Sequence, residues 1–252
     1  MRNRSLSFAL TGALSLTALT AVTAPSAQAA GDTVITGVTV NGGKEIALGP
    51  TAPKTFPVQV TAQDNSGIES MNLHVSLPSY LYLASDQGLT CTATSATTTR
   101  CSGTWTIDTS SFYGNGPADD PWYVHAYVSA NDGDYVSTDR AATFSVRRQA
   151  KLTANASPEP VAKDATLTVT GKLTRADWKT HKYAGYSGRS VKLQFRRADT
   201  STYTTVKSVT SGTGGALKTT VKAKYDGYWR WSYGGNTTTS TAKATGDHVD
   251  VR

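Results

Sequence analysis

Apolar and polar residues alternate one by one along most of this chain, most sharply near its end. Trp229, Trp231 and Tyr233 fall on one side of a two-residue period, and Tyr228, Arg230 and Ser232 on the other, between Asp226-Gly227 and Gly234-Gly235. Successive side chains of a strand point to opposite faces, so this stretch predicts a strand that sends three large rings into a core. The same period runs through Leu167, Val169 and Leu173, through Val191, Leu193 and Phe195, through Leu217, Val221 and Ala223, and through Val249 and Val251. Upstream, strands are expected at 34–40, 55–62, 70–77, 89–94, 99–107, 122–130 and 141–147, with Gly, Pro, Asn or Asp between them. Within two of these, Leu73, Val75 and Leu77 oppose His74, and Trp122, Val124 and Ala126 oppose His125, which puts both histidines on outward faces. After the first 30 residues no window sustains the 3.6-residue period of a helix, so the fold class is all-β, and many short strands suit β-sandwiches.

The start of the chain follows a different pattern. Arg2 and Arg4 precede an uncharged run from Leu6 to about Val22, and Ala27-Gln28-Ala29 then offers small residues at a cleavage site. This is the layout of a secretory signal peptide, residues 1–29, with cleavage expected after Ala29 and the mature chain released outside the cell. No later stretch is apolar for long enough to span a bilayer. In an extracellular setting Cys91 and Cys101 are expected to form a disulfide that clasps a hairpin.

Charge divides the remainder in two. Residues 31–147 hold five Lys or Arg against eleven Asp or Glu, and residues 148–252 hold eighteen against seven, so balances of −6 and +11 lie behind the net charge of +7. An acidic domain at 31–147 and a basic one at 150–252 are expected, joined where Arg147-Arg148-Gln149-Ala150 marks the change. Opposite charges favour contact between the two domains of one chain, or head to tail between chains.

The order Leu-Thr-Val-Thr-Gly-Lys-Leu at 167–173, Gly-Arg-Ser-Val-Lys-Leu-Gln-Phe-Arg-Arg at 188–197 and Asp-Gly-Tyr-Trp-Arg-Trp-Ser-Tyr-Gly-Gly at 226–235 resembles the bacterial immunoglobulin-like modules of secreted proteins from high-GC Gram-positive bacteria. The first half is similar more loosely, through Val-Gln-Val-Thr-Ala-Gln-Asp-Asn-Ser-Gly-Ile at 58–68. The resemblance implies two tandem immunoglobulin-like β-sandwiches acting as spacers, adhesive units or binding domains. It carries no catalytic residue.

Signatures of an enzyme are absent: there is no Gly-x-Ser-x-Gly elbow, His-Glu-x-x-His or phosphate-binding Gly loop. No cofactor is required, although Asp132 and Asp134 offer oxygen ligands suited to Ca²⁺, in a segment that also reads as a solvated Asp-Gly turn. The segment 175–186 mixes rings with cations, and Arg175, Trp178, Lys179, Lys182, Tyr183 and Tyr186 are the expected ligand-binding residues. Stacking faces beside cations suit a carbohydrate or anionic polymer at the cell surface, or another protein; the competing expectation is that Trp178 and Tyr183 fold back over the open end of the sandwich. Lys192 and Arg196, and Lys218, Lys222 and Lys224, alternate outward and give the second domain basic stripes, but no reading helix or stacking motif points to a specific nucleic acid. The expected function is non-catalytic binding, the alternatives being a calcium-binding structural protein and a hydrolase or inhibitor with an unfamiliar site.

Overall fold

The computed structural model describes residues 31–77 and 81–252; the leader expected at 1–29 lies outside the described residues. The chain is all-β. Its first half carries β1 (Val34–Val40), β2 (Ile46–Leu48), β3 (Lys54–Gln63), β4 (Ile68–Leu77), β5 (Leu81–Leu83), β6 (Thr90–Ala93), β7 (Thr98–Ile107), β8 (Trp122–Ala130), β9 (Tyr135–Phe144) and β10 (Val146–Arg148). One sheet has the order β1-β3-β7-β6 and a second the order β5-β4-β8-β9, while β2 and β10 form a small parallel pair. Lettered along the chain, these sheets are A-B-E-D and C′-C-F-G, the Greek-key order of an immunoglobulin-like sandwich.

The second half carries β11 (Ala150–Ser157), β12 (Thr166–Asp177), β13 (Lys182–Gly185), β14 (Ser190–Arg197), β15 (Thr204–Thr210), β16 (Ala216–Lys222), β17 (Gly227–Tyr233), β18 (Ala242–Lys243) and β19 (Asp247–Val249). Here β12 is flanked by β11 on one side and by β16 and then β13 on the other. The facing sheet runs β15-β14-β17, with β18 and β19 along the far edge of β17. The order is A-B-E against C′-C-F-G, so the fold repeats without a D strand.

Alternation explains which residues are buried. Phe56, Val58, Val60 and Ala62 on β3 are fully buried, as are Leu167, Val169 and Leu173 on β12, and each of these other than Ala62 contributes roughly 1.5–3 kcal/mol. The one inward position of β12 without a side chain is Gly171. The Trp231 indole lies over it, donating from Nε1 to the Thr170 carbonyl at 2.9 Å, and a Cβ at 171 would come within 2.6 Å of the ring. Buried apolar residues form two clusters, one around Phe56, Trp105 and Trp122, the other around Leu167, Leu193 and Trp231.

Cys91 on β6 and Cys101 on β7 sit opposite each other in register and are disulfide-bonded, so the bridge staples two neighbours of one sheet. Several strand expectations need correction. The strand expected at 141–147 starts at Tyr135 and is followed by the separate β10; β2, β5, β11, β15 and β18 have no counterpart among the expected strands; and β13 lies inside what reads as a long loop. Among the described residues no helix is long and apolar enough to cross a membrane.

Candidate functional site

The segment 175–186 is a β-hairpin, and its location decides what it can bind. β12 runs on past β16, so that residues 174–177 pair with β13, and the turn at 178–181 reaches the first half of the chain. Trp178 is fully buried among residues of the first cluster: its ring meets Phe112 edge-on at a centroid distance of 5.1 Å, and its Nε1 donates to the Gly49 carbonyl at 3.0 Å. Asn115 holds the turn from the other side, accepting from the Trp178 amide at 2.9 Å and donating to Asp177 Oδ1 at 3.2 Å. Burial opposes ionisation of Asp177, but that bond and the amides of Thr180 and Lys179 outweigh it, and its pKa is lowered.

Trp178 therefore cannot serve as a stacking platform, which corrects the sequence expectation. Flat rings beside cations look alike in a binding loop and in a plug, and here the partner of the ring is the other half of the same chain. Tyr186 is also buried, with the guanidinium groups of Arg175 and Arg189 at 4.0 and 4.6 Å from its ring. Tyr183 is half-buried, its hydroxyl bonded to Gln149 Oε1 and Lys151 Nζ 4.0 Å from its ring. Of the six residues only Lys179 and Lys182 are exposed. Gln149 completes the seam by donating its amide to Leu48 and accepting from Ala176. Arg148 Nε donates to the Ala176 carbonyl at 2.6 Å, and burial, then repulsion from Arg175, lowers its pKa. Among the described residues none of the ion pairs crosses the seam, while Glu45 Oε2 accepts from the Thr241 amide and hydroxyl across it at 3.3 and 3.4 Å.

The acidic turn is rearranged relative to expectation. Asp134 Oδ2 accepts from the Thr33 amide at 2.9 Å, and the Asp134 amide donates to Asp132 Oδ1 at 3.1 Å. Asp32, Asp64 and Asp132 bring one carboxylate oxygen each within 4.8 Å of the others. Asp64 is buried and accepts from Thr33 Oγ1 at 2.7 Å and from the Ser66 amide and hydroxyl at 2.7 and 2.6 Å. Burial opposes its ionisation, but the Ser66 and Thr33 bonds overcome this and lower its pKa. Asp32 and Asp64 were missed because they lie on different loops, far from residue 132 in sequence.

Ser76, His125 and Asp139 line up across β4, β8 and β9, with Ser76 Oγ 2.5 Å from His125 Nε2 and His125 Nδ1 3.3 Å from Asp139. The connectivity is that of a nucleophile relay, yet Ser76 is buried and sits on β4 between β5 and β8, both of which pair with it. It lies opposite Tyr82 on β5 and Tyr123 on β8 in the ladder. Neighbouring His74 stacks on Tyr82 at 4.6 Å, and burial, then the charge of His125, lowers its pKa below the usual 6.5. A folded state that resists protonation keeps its full stability above about pH 6.5 and loses it as pH falls through the lower folded value. Urea midpoints at pH 7.5 and 5.5 are expected to differ more in the wild type than in His74→Gln.

A groove of about 960 Å³ lies at the open side of the second half. Its floor is apolar: Phe195, Val206, Val221 and Trp229. Val206 reaches the groove because it is the extra residue of a bulge on β15, between the pairs Leu193↔Lys207 and Gln194↔Thr205. Cations lie around it: Arg197 pairs with Asp199 at 3.4 Å, Lys222 and Lys224 are exposed, and Arg196 lies 3.8 Å over the Tyr228 ring on the outer face of the sheet, donating to Thr200 O. β12 runs from Thr166, opposite Lys222, toward Asp177 at the seam, so the groove opens at the end of the second half remote from the first. Sequence reading placed Lys222 and Lys224 outward but gave no reason to join them to residues 195–206.

These strand orders define an immunoglobulin-like β-sandwich protein. No known protein-family profile matches the chain, and no curated protein matches it in sequence. Among solved structures it is similar to the full ectodomain (Ig1-Ig3) of mouse nectin-like molecule 4, at 11% identity over 85% of this chain and 63% of that one, TM-score 0.27. It is similar to the D00-D0 domain of intimin at 14% identity over 84% of this chain and 98% of that one, TM-score 0.28. The trypsin-activated alpha-2-macroglobulin of Escherichia coli matches at 12% identity over 84% of this chain and 15% of that one, TM-score 0.27. Likenesses at such scores carry no argument about ligand or activity.

Proposed function

We propose that the chain is a secreted, non-catalytic binding module, with domains at 31–147 and 150–252 joined stiffly, and that its basic domain takes an anionic partner. The observation that supports this best is the groove: an apolar floor beside Arg197, Lys222 and Lys224, with Asp199 as the one carboxylate among its lining residues. A ligand carrying both negative charge and apolar surface matches that lining. The stiff seam at Trp178 holds the groove at the far end, as a spacer would present an adhesive tip. Immobilised polyphosphate tests the anionic reading. Binding at low salt is expected to weaken with added salt, because exposed charges are screened, and to weaken further in Lys222→Glu/Lys224→Glu. Equal binding by wild type and the double variant would overturn the assignment to this groove, and no binding by either would overturn the anionic partner.

A second reading, a Ca²⁺-stabilised structural module, has one observation in its favour. Asp32 Oδ1, in the cluster with Asp64 and Asp132, is buried without a hydrogen-bond partner. A cation bound only by the folded state raises the melting midpoint. On this reading calcium raises it in the wild type and not in Asp32→Asn.

A further inference from the structure

We infer that the groove is the place of a strand supplied from outside: an extended acidic segment of a partner protein pairs with the free edge of β16. This deepens the reading of the basic domain as the binding domain and names its ligand class. In the first half β7 lies between β3 and β6. In the second half β16 occupies the position of β7, paired with β12, and among the described residues no strand pairs with its other edge. The link from β15 to β16, residues 211–215, is too short to hold the missing strand. An edge of this kind is an open row of backbone donors and acceptors, and adding a strand satisfies it.

The register says which groups are offered. Ala223 donates its amide to the Ala165 carbonyl, on the side of β12. Antiparallel pairing alternates, so the amides of Lys222, Thr220 and Lys218 point to the open edge. Side chains follow their own alternation: Thr219 and Val221 turn inward, Val221 into the groove, and Lys218, Thr220 and Lys222 face solvent. Cross-strand neighbours lie on the same face. An incoming strand therefore places acidic residues beside Lys218 and Lys222 and apolar ones beside Thr219 and Val221, where they cover the floor formed with Phe195 and Trp229. Charge also selects against the simplest competitor, since two copies pairing β16 to β16 would bring their lysine rows together.

The probe is a synthetic peptide, Glu-Val-Thr-Val-Glu-Val-Thr, added to the full chain, with polyphosphate as an anion that cannot form a strand. Saturation with peptide is expected to slow amide exchange at Lys218, Thr220 and Lys222. Thr220→Pro removes one of these donors from a solvent-facing edge, where proline is tolerated, and is expected to weaken peptide binding about tenfold or more while leaving polyphosphate binding intact. Lys218→Glu/Lys222→Glu should weaken both. Unchanged peptide binding by a folded Thr220→Pro, or no slowing at those three amides in the wild type, overturns strand addition while the anionic reading survives. Failure of the wild type to bind either probe at low salt removes both. Protection of the same amides with doubled mass and no peptide present would make the occupant a second copy, and the partner assignment would fall.

Discussion

Replacing Trp178 with Ala is expected to lower the stability of the intact chain by about 3–5 kcal/mol, the cost of truncating a fully buried indole. The loss is that large because the ring has no way to be replaced by water without exposing Phe112 and the rest of the first cluster. It also leaves the Gly49 carbonyl without the donor it has from Nε1. The change should be visible as more than a lower midpoint. With that ring gone, the halves are held by the bonds of Gln149, Asn115 and Glu45, and calorimetry is expected to show two transitions where the wild type is expected to show one. Trp178→Phe keeps most of the apolar contact and loses the hydrogen bond, so about 1–2 kcal/mol is expected from it. If Trp178→Ala instead melts as the wild type does and binds ligand less well, the residue belongs to a binding surface after all.

The other large effect belongs to Trp231. Its ring is fully buried, it packs over Gly171, and its Nε1 donates to the Thr170 carbonyl, so it ties the sheet of β17 to that of β12. Trp231→Ala is expected to cost about 3–5 kcal/mol. Gly171→Ala gives an independent check on the same contact: a methyl group 2.6 Å from Cδ1 and 2.3 Å from the Thr153 carbonyl has no room, and the indole must shift. Equilibrium unfolding in urea should place both variants well below the wild type, and the indole fluorescence of Gly171→Ala should change even where it is folded.

What could be read from the sequence, and what could not, follows from which interactions are local. β17 was fully legible, because Trp229, Trp231 and Tyr233 alternate with polar neighbours and lie between turn residues. The inward sets of β12, β14 and β16 were legible for the same reason. β11 was not, since Leu152, Ala154 and Ala156 make a weak apolar stripe among Thr, Asn and Lys. β13 was hidden because it pairs with the tail of β12, so its residues look like a loop rich in rings and cations. The role of Trp178 depends on Phe112, Asn115 and Gly49, and no pattern within 175–186 reports on them. The groove lies beyond a reading of single strands for a further reason: it comes from the absence of a strand between β15 and β16. The short Gly-rich link at 211–215, set against the longer passage that carries β6 in the first half, is the one sequence signal that points to it.

The hairpin at 175–186 acts as a structural plug, and recognition is displaced to the far end of the second half. Amide exchange of Trp178 in the intact chain tests this most directly, since its amide is donated across the seam to Asn115 Oδ1. Protection equal to that of the centre of β12 is the predicted result. Exchange as fast as at Lys179 and Thr180 on the exposed tip would contradict it.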